Sequence, residues 1–213
     1  MARLIIFANG LVPNLDSARH LIRPGDVLYA ADGGTRHVLA LGLIPSVVIG
    51  DLDSLKPEER ELLEARGVEI QQYPRDKDQT DLELALEHAI QAGYREILIA
   101  GALGGRLDQT LGNLALLSDP RLVKYNIRFD DGVEEAFFTR NRCEMRGRPG
   151  EVVSLIPWDG EVTGIFTTGL RWPLHGETLL PDRTRGISNE MVNEAAGLEI
   201  ASGLLLCIHH RSG

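Results

Sequence analysis

Seven of the fourteen aspartates fall between positions 32 and 108, and most of them directly follow a short apolar run of strand type. Carboxylates bind hard cations, and a hard cation carries phosphate oxygens too, so a series like this suits cation-dependent handling of phosphate. The tightest pair is in Gly50-Asp51-Leu52-Asp53-Ser54, after Val47-Val48-Ile49. In an extended backbone, residues two apart point to the same side, so Asp51 and Asp53 could meet one ligand. Two carboxylates about 4 Å apart repel by roughly 4 kcal/mol at an effective dielectric of about 20, which calls for a cation, a proton or intervening water. Mg2+ is the natural cation because it takes carboxylate and phosphate oxygens together. The alternative is a solvated acidic loop leading into the next helix.

Three more groups share this placement at strand ends. Asp32-Gly33-Gly34 follows Val27 to Ala31, and its glycines permit a tight turn and close approach of backbone N–H groups to a ligand; Asp-Gly is also an ordinary turn. Arg75-Asp76-Lys77-Asp78-Gln79-Thr80-Asp81 opens a helix. There Thr80 can cap and the acids can complement the dipole; alternatively Asp81 adds a metal carboxylate, Lys77 adds charge, and Thr80 with the helix amides faces phosphate. Gly101-Ala102-Leu103-Gly104-Gly105-Arg106-Leu107-Asp108-Gln109 repeats strand, glycines, helix, which makes an anion site with Arg106 available for bidentate contact. Neither a Walker A loop nor GxGxxG is present, so a nucleotide site here is of another kind. There is no GxSxG to support a serine hydrolase. The histidines are scattered, and His209-His210 reads as a strand end rather than a ligand pair.

The elements that must position these groups alternate between two periods. Strands are expected at Leu4 to Ala8, Val27 to Ala31, Val47 to Gly50, Val68 to Tyr73 and Ile97 to Ala100, with helical segments between them, which signals a mostly parallel α/β sheet. Leu82, Ala85, Leu86, Ala89 and Ile90 form one helical stripe, started by a capping box at Thr80-Asp81-Leu82-Glu83 and stopped by Gly93. Pro57 opens a helix that ends near Gly67, and another runs from Leu107 to about Ser118. In such sheets the crevice beyond the carboxyl ends of the strands binds ligands. After about Tyr125, short strand-like runs follow closely (Ala136 to Thr139, Val152 to Ile156, Gly164 to Thr168, Leu204 to His209), and a small antiparallel β domain is expected from a boundary near residue 135.

The whole-chain arithmetic agrees. With 213 residues, 43% hydrophobic and a formal net charge of -9, the chain is long enough for one large domain or two small ones, and a polyanion partner is disfavoured. No apolar run reaches the roughly 18 residues of a membrane span, so a cytoplasmic protein free of membrane and nucleic acid is expected. Cys143 and Cys207 lack disulfide or zinc spacing and read as reduced thiols.

Taken together, Ala31-Asp32-Gly33-Gly34, Gly50-Asp51-Leu52-Asp53-Ser54, Asp76-Lys77-Asp78-Gln79-Thr80-Asp81 and Gly104-Gly105-Arg106-Leu107-Asp108 resemble, in order and spacing, the signature blocks of the thiamine pyrophosphokinase family. Gly169-Leu170-Arg171-Trp172-Pro173-Leu174 and Gly186-Ile187-Ser188-Asn189-Glu190 resemble that family's thiamine-domain motifs. The resemblance implies an α/β catalytic domain over 1–135, a β-sandwich over 136–213 that binds thiamine and dimerises, and a homodimer with active sites between subunits. It implies transfer of a diphosphate from ATP, with Mg2+, to thiamine. By position, Asp51, Asp53 and Asp81 resemble the metal and catalytic carboxylates, with Asp51 or Asp81 as acceptor of the hydroxyl proton. Asp32, Gly33, Gly34, Lys77, Asp78, Thr80, Gly104, Gly105, Arg106 and Asp108 resemble ATP contacts. Trp172 resembles the aromatic that stacks on the aminopyrimidine, with Ser188 and Asn189 beside it; a core role for Trp172 and a simple turn at Ser188-Asn189 are the plain alternatives. A diphosphokinase for another alcohol, such as a hydroxymethylpterin, and a non-catalytic sensor are the rival functions.

Overall fold

Apolar runs without polar alternation become the centre of a parallel sheet, because strands covered by helices on both faces bury every side chain. The computed structural model, which describes residues 2–122 and 124–211, shows this in β1 (Leu4–Phe7), β2 (Val27–Ala31) and β3 (Val47–Gly50). The more polar β4 (Glu69–Gln72) closes the sheet as an edge strand beside β3. On the other side of β1 lies β5 (Glu96–Ala100), followed by β6 (Asn126–Asp130). The strand order within this unit is β6-β5-β1-β2-β3-β4, every pair parallel.

The crossovers are α1 (Leu15–Leu21), α2 (Thr35–Ala40), α3 (Pro57–Ala65), α4 (Asp81–Gln91) and α5 (Leu107–Leu117). In α4 the Thr80 hydroxyl accepts from the Glu83 N–H at 3.2 Å, the first arm of the expected capping box, while the Glu83 carboxylate is engaged by Gln79 Nε2 at 3.4 Å. Its buried stripe of Leu82, Ala85, Leu86 and Ala89 is the one the period specifies, and Gly93 stops it in the left-handed conformation (φ +91). In α3, Pro57 occupies the first turn and the Lys56 N–H donates to Glu59 Oε2 at 2.9 Å.

The chain divides between Gly132 and Val133 into two units. The second unit is antiparallel: β7 (Glu134–Thr139), β8 (Arg142–Arg146), β9 (Val152–Pro157), β10 (Val162–Thr168), β11 (His175–Leu179), β12 (Asn189–Glu190), β13 (Ala195–Glu199) and β14 (Leu205–His210). They form one sheet in the order β12-β9-β14-β7 and another in the order β11-β10-β13-β8. Leu155, Leu205 and Cys207 of the first sheet share one apolar core with Met145, Ile165 and Leu198 of the second, as a sandwich requires. The segment 119–150, which carries no recognisable motif, supplies β6, β7 and β8. No described helix is long and apolar enough to cross a membrane.

Candidate active site

The chain builds β1 to β4 outward in one direction and then returns to place β5 and β6 on the other flank of β1, which makes the carboxyl ends of β1 and β5 the switch point of the sheet. A cleft of about 600 Å³ lies there, within the first unit. Its walls come from residues that follow strands: Asn9 and Leu11 after β1, Asp32 after β2, Asp51 after β3, and Gly101, Gly104, Gly105 and Arg106 after β5. Lys77, Thr80 and Asp81 complete it at the start of α4. The size suits a nucleotide-sized ligand.

Three carboxylates converge. Asp32, Asp51 and Asp53 each offer an oxygen, and these oxygens lie within 4.8 Å of one another. Among the described residues this is the grouping of His, Cys, Asp and Glu close enough to share a metal ion, and an all-oxygen donor set fits a hard cation such as Mg2+. Asp32 is buried, and its Oδ1 accepts from the Ser54 hydroxyl at 2.8 Å, which ties the end of β2 to the loop after β3. The sequence grouped Asp81, rather than Asp32, with Asp51 and Asp53. In the structure Asp81 lines the same cleft but pairs with Lys77 Nζ at 2.9 Å, on the first turn of α4. Burial pushes the Asp81 carboxyl above the ordinary aspartate range, and the charges of Asp32 and Asp51 add to this against the opposing pull of Lys77. Gly50 makes the crowding possible: a Cβ there would lie 2.9 Å from Asp32 Cβ and 3.1 Å from Asp81 Cγ.

The other residues flagged by the sequence take varied positions. Gly33 and Gly34 are buried in a 3-10 turn, where a Cβ would overlap the Asn9 side chain and the Phe7 carbonyl respectively, so close packing against the end of β1 requires them. Gly104 and Gly105 stand at the mouth of the cleft, both at positive φ. Arg106 reaches the cleft while its guanidinium Nε donates to Asp108 Oδ1 at 3.1 Å; that hydrogen bond holds the exposed Asp108 carboxyl below its usual range. Asp78 is exposed beside the cleft-lining Lys77.

Sequence reasoning missed Asn9 and Asn113, and gave no role to Gln109 at the end of the glycine group; all three also line the cleft. Asn113 Nδ2 donates to the Ala102 carbonyl at 2.8 Å, fastening the glycine loop to α5, and His37 Nε2 lies 2.9 Å from the Gly10 carbonyl. The signal for Asn9 was available, since it follows β1 as Asp32 follows β2. Gln109 and Asn113 stand four apart on α5 and so share a helix face.

In the second unit Trp172 is 54% exposed, which excludes the core role that a large aromatic often takes. The Arg171 guanidinium lies 5.0 Å from the centroid of its ring and pairs with Glu190 at 2.7 Å. Asn189 is buried and clamps the Trp172 backbone, accepting from its N–H at 3.1 Å and donating to its carbonyl at 2.7 Å. Ser188 is left-handed (φ +59), and its N–H donates to the Ser154 hydroxyl at 3.0 Å. The structure thus brings Trp172, Ser188 and Asn189 together. His209, at 0% exposure on β14, has Nε2 2.8 Å from Glu151 Oε2 and Nδ1 3.9 Å from Glu135 Oε2, a buried network inside the sandwich.

Two family models match the chain: "Thiamin pyrophosphokinase, catalytic domain" over residues 18–129 and "Thiamin pyrophosphokinase, vitamin B1 binding domain" over residues 141–205. The sequence is 33% identical over 187 residues to thiamine pyrophosphokinase from Bacillus subtilis (strain 168), covering 83% of this chain and 84% of that protein. It is 30% identical over 177 residues to thiamine pyrophosphokinase 1 of Oryza sativa subsp. japonica, covering 79% and 67%. The crystal structure of thiamine pyrophosphokinase from Bacillus subtilis superposes with a TM-score of 0.87 at 28% identity, covering 99% of this chain and 100% of that one.

Proposed function

Because the chain belongs to the thiamin pyrophosphokinase family, we propose that it moves the β,γ-diphosphate of ATP to the hydroxyethyl group of thiamine, giving thiamine diphosphate and AMP. The observation that carries this reading is the cleft at the sheet's switch point, lined by Asp32, Asp51, Lys77 and Arg106, with Asp53 grouped against the first two carboxylates. Asp51 and Asp53, with Asp32, would hold Mg2+, which when bound neutralises phosphate charge. The reading further takes the protein to be cytoplasmic and a homodimer with active sites between subunits. Exposed Leu107 and Leu111 on α5 of the first unit are apolar side chains that a partner subunit would cover, and so, separately, are exposed Ile187 and Val192 of the second unit.

In this scheme the thiamine hydroxyl oxygen bonds to the β-phosphorus, the bond from that phosphorus to the oxygen bridging it to the α-phosphate breaks, and AMP leaves. Such transfers depend on positioning and charge more than on covalent protein chemistry. Lys77, Arg106 and the backbone N–H groups of the glycine loop bind and orient the phosphates. Asp81, which lines the cleft beside Lys77 and whose carboxyl burial pushes above the ordinary aspartate range, would accept the hydroxyl proton. Trp172 stacks on the aminopyrimidine with the ring face that Arg171 leaves open, held in place by Asn189.

ATP labelled at the β-phosphorus, incubated with thiamine, Mg2+ and the protein, should pass label into thiamine diphosphate and leave AMP unlabelled. Formation of ADP with transfer of γ-label alone would reject the scheme. AMP release that is as fast with a hydroxymethylpterin as with thiamine would reject the acceptor.

A further inference from the structure

We propose that Leu52 is a positioning residue for the diphosphate transfer: its left-handed backbone, anchored by a buried side chain, turns the carboxylates of Asp51 and Asp53 toward one point. The proposal rests on the reading of those two carboxylates as cation ligands.

Leu52 has φ +66. Among the described residues, the non-glycine positions with positive φ are Asp32, Leu52 and Ser188. Aspartate tolerates this region because a short polar side chain bonds locally; leucine has no such help, and its presence there is a strained arrangement that the surroundings must enforce. The enforcement is visible. Leu52 is 7% exposed and belongs to the apolar cluster that includes Val48 and Leu63, with Leu55 packed against it. The Leu55 N–H returns to the Leu52 carbonyl at 3.3 Å, and Ser54 is tied to Asp32 on the far side of the loop.

The consequence falls on the neighbours. An extended strand would carry the Cα atoms of residues 51 and 53 about 7 Å apart with their side chains parallel. The left-handed residue instead folds the chain so that the Asp53 N–H donates to Asp51 Oδ1 at 3.1 Å, and both carboxylates reach the group with Asp32. A glycine at 52 would take this φ without strain but would leave the loop unanchored. A β-branched residue would anchor it but resist the φ. An asparagine would accept the φ but place an amide among apolar side chains. Leucine supplies the anchor, and the loop supplies the φ.

The test compares Leu52→Val with Leu52→Met, both apolar, of which only valine is β-branched. Binding of Mn2+ alone is followed by loss of the free-ion EPR signal, and folding by circular dichroism. Leu52→Met should bind within about twofold of wild type, whereas Leu52→Val should bind at least about tenfold more weakly at similar helix content, with kcat falling and the thiamine KM little changed. Equal Mn2+ binding by the two variants overturns the proposal. Should Leu52→Val fail to fold, Leu52→Gly replaces it: binding at least about threefold weaker by a folded protein supports the anchoring role, and wild-type binding overturns it. Asp53→Asn separates the two levels of the argument. If it binds Mn2+ as wild type does, Asp53 is not a cation ligand, and the reading of Asp51 and Asp53 as a ligand pair falls together with this one.

Discussion

Asp51→Asn should make the metal-free protein more stable while removing its activity. The Asp51 oxygen lies within 4.8 Å of oxygens on both Asp32 and Asp53. At that separation one pair of unit charges repels by about 3.5 kcal/mol at a dielectric of about 20 and by about 0.9 kcal/mol in water. Asp53 is exposed and Asp51 half-buried, so the lower figure is the better guide, and relief of two pairs gives about 1 to 2 kcal/mol. The hydrogen bond from the Asp53 N–H survives, because an asparagine Oδ1 also accepts. For a chain of this size the gain corresponds to a rise of about 3 to 6 °C in the unfolding midpoint, measured calorimetrically in EDTA at low salt, and it should shrink in high salt. The midpoint increase that Mg2+ gives the wild type should largely vanish in the variant, and turnover should fall by about a hundredfold or more. A lower midpoint in EDTA would refute the repulsion argument. A higher midpoint with an intact Mg2+ shift would place the cation away from Asp51.

Three further outcomes follow from the same geometry. Trp172→Ala removes an exposed ring, so stability should change by no more than about 0.5 kcal/mol while the thiamine KM rises about tenfold at unchanged ATP KM; Trp172→Phe should restore part of it. Asn189→Ala strips both partners from the Trp172 backbone and should cost about 1 to 3 kcal/mol in urea unfolding, with the same rise in thiamine KM because the ring is no longer held. Burial alone would raise the Asp26 carboxyl, but Arg3, at 2.6 Å, and the Arg23 N–H hold it below its usual range. That pair should therefore stabilise the fold fully above about pH 4 and lose its contribution as pH falls through the depressed folded-state value; Asp26→Asn should cost about 3 kcal/mol at pH 7 and flatten the acid arm of the urea midpoint.

Legibility of the fold tracked how strongly burial patterns the sequence. Strands β1, β2, β3 and β5 read directly as apolar runs, because helices cover both faces and no position needs to be polar. The stripe of α4 was equally plain. Strand β8 escaped because Arg142, Glu144 and Arg146 face outward around a single fully buried Met145, and β13 because Ala195-Ala196-Gly197 carries little β propensity. Strand β11 escaped too: only Leu179 of its five residues is buried. In each case the partner strands supply the pairing that the local sequence does not announce.

The site was legible by position and much less so by geometry. Parallel sheets put ligand clefts beyond strand ends, so the cleft-lining Asp32, Asp51 and glycine loop could be located from strands alone, and the same logic would have reached Asn9. The meeting of Asp51 and Asp53 was expected from an extended backbone, yet it comes about through a left-handed Leu52 that no propensity would suggest. Ser188 is the parallel case, a left-handed residue next to the asparagine that clamps Trp172. Such conformations are unfavourable locally and persist only where the surrounding packing and hydrogen bonds hold them, so a short window of sequence contains neither the cost nor its compensation. Asp32, Leu52 and Ser188 each adjoin or belong to a group assigned to ligand. Among the described residues, the left-handed non-glycine positions fall at those places, which argues that the backbone there is set by what the side chains must reach, and only secondarily by what folds most easily.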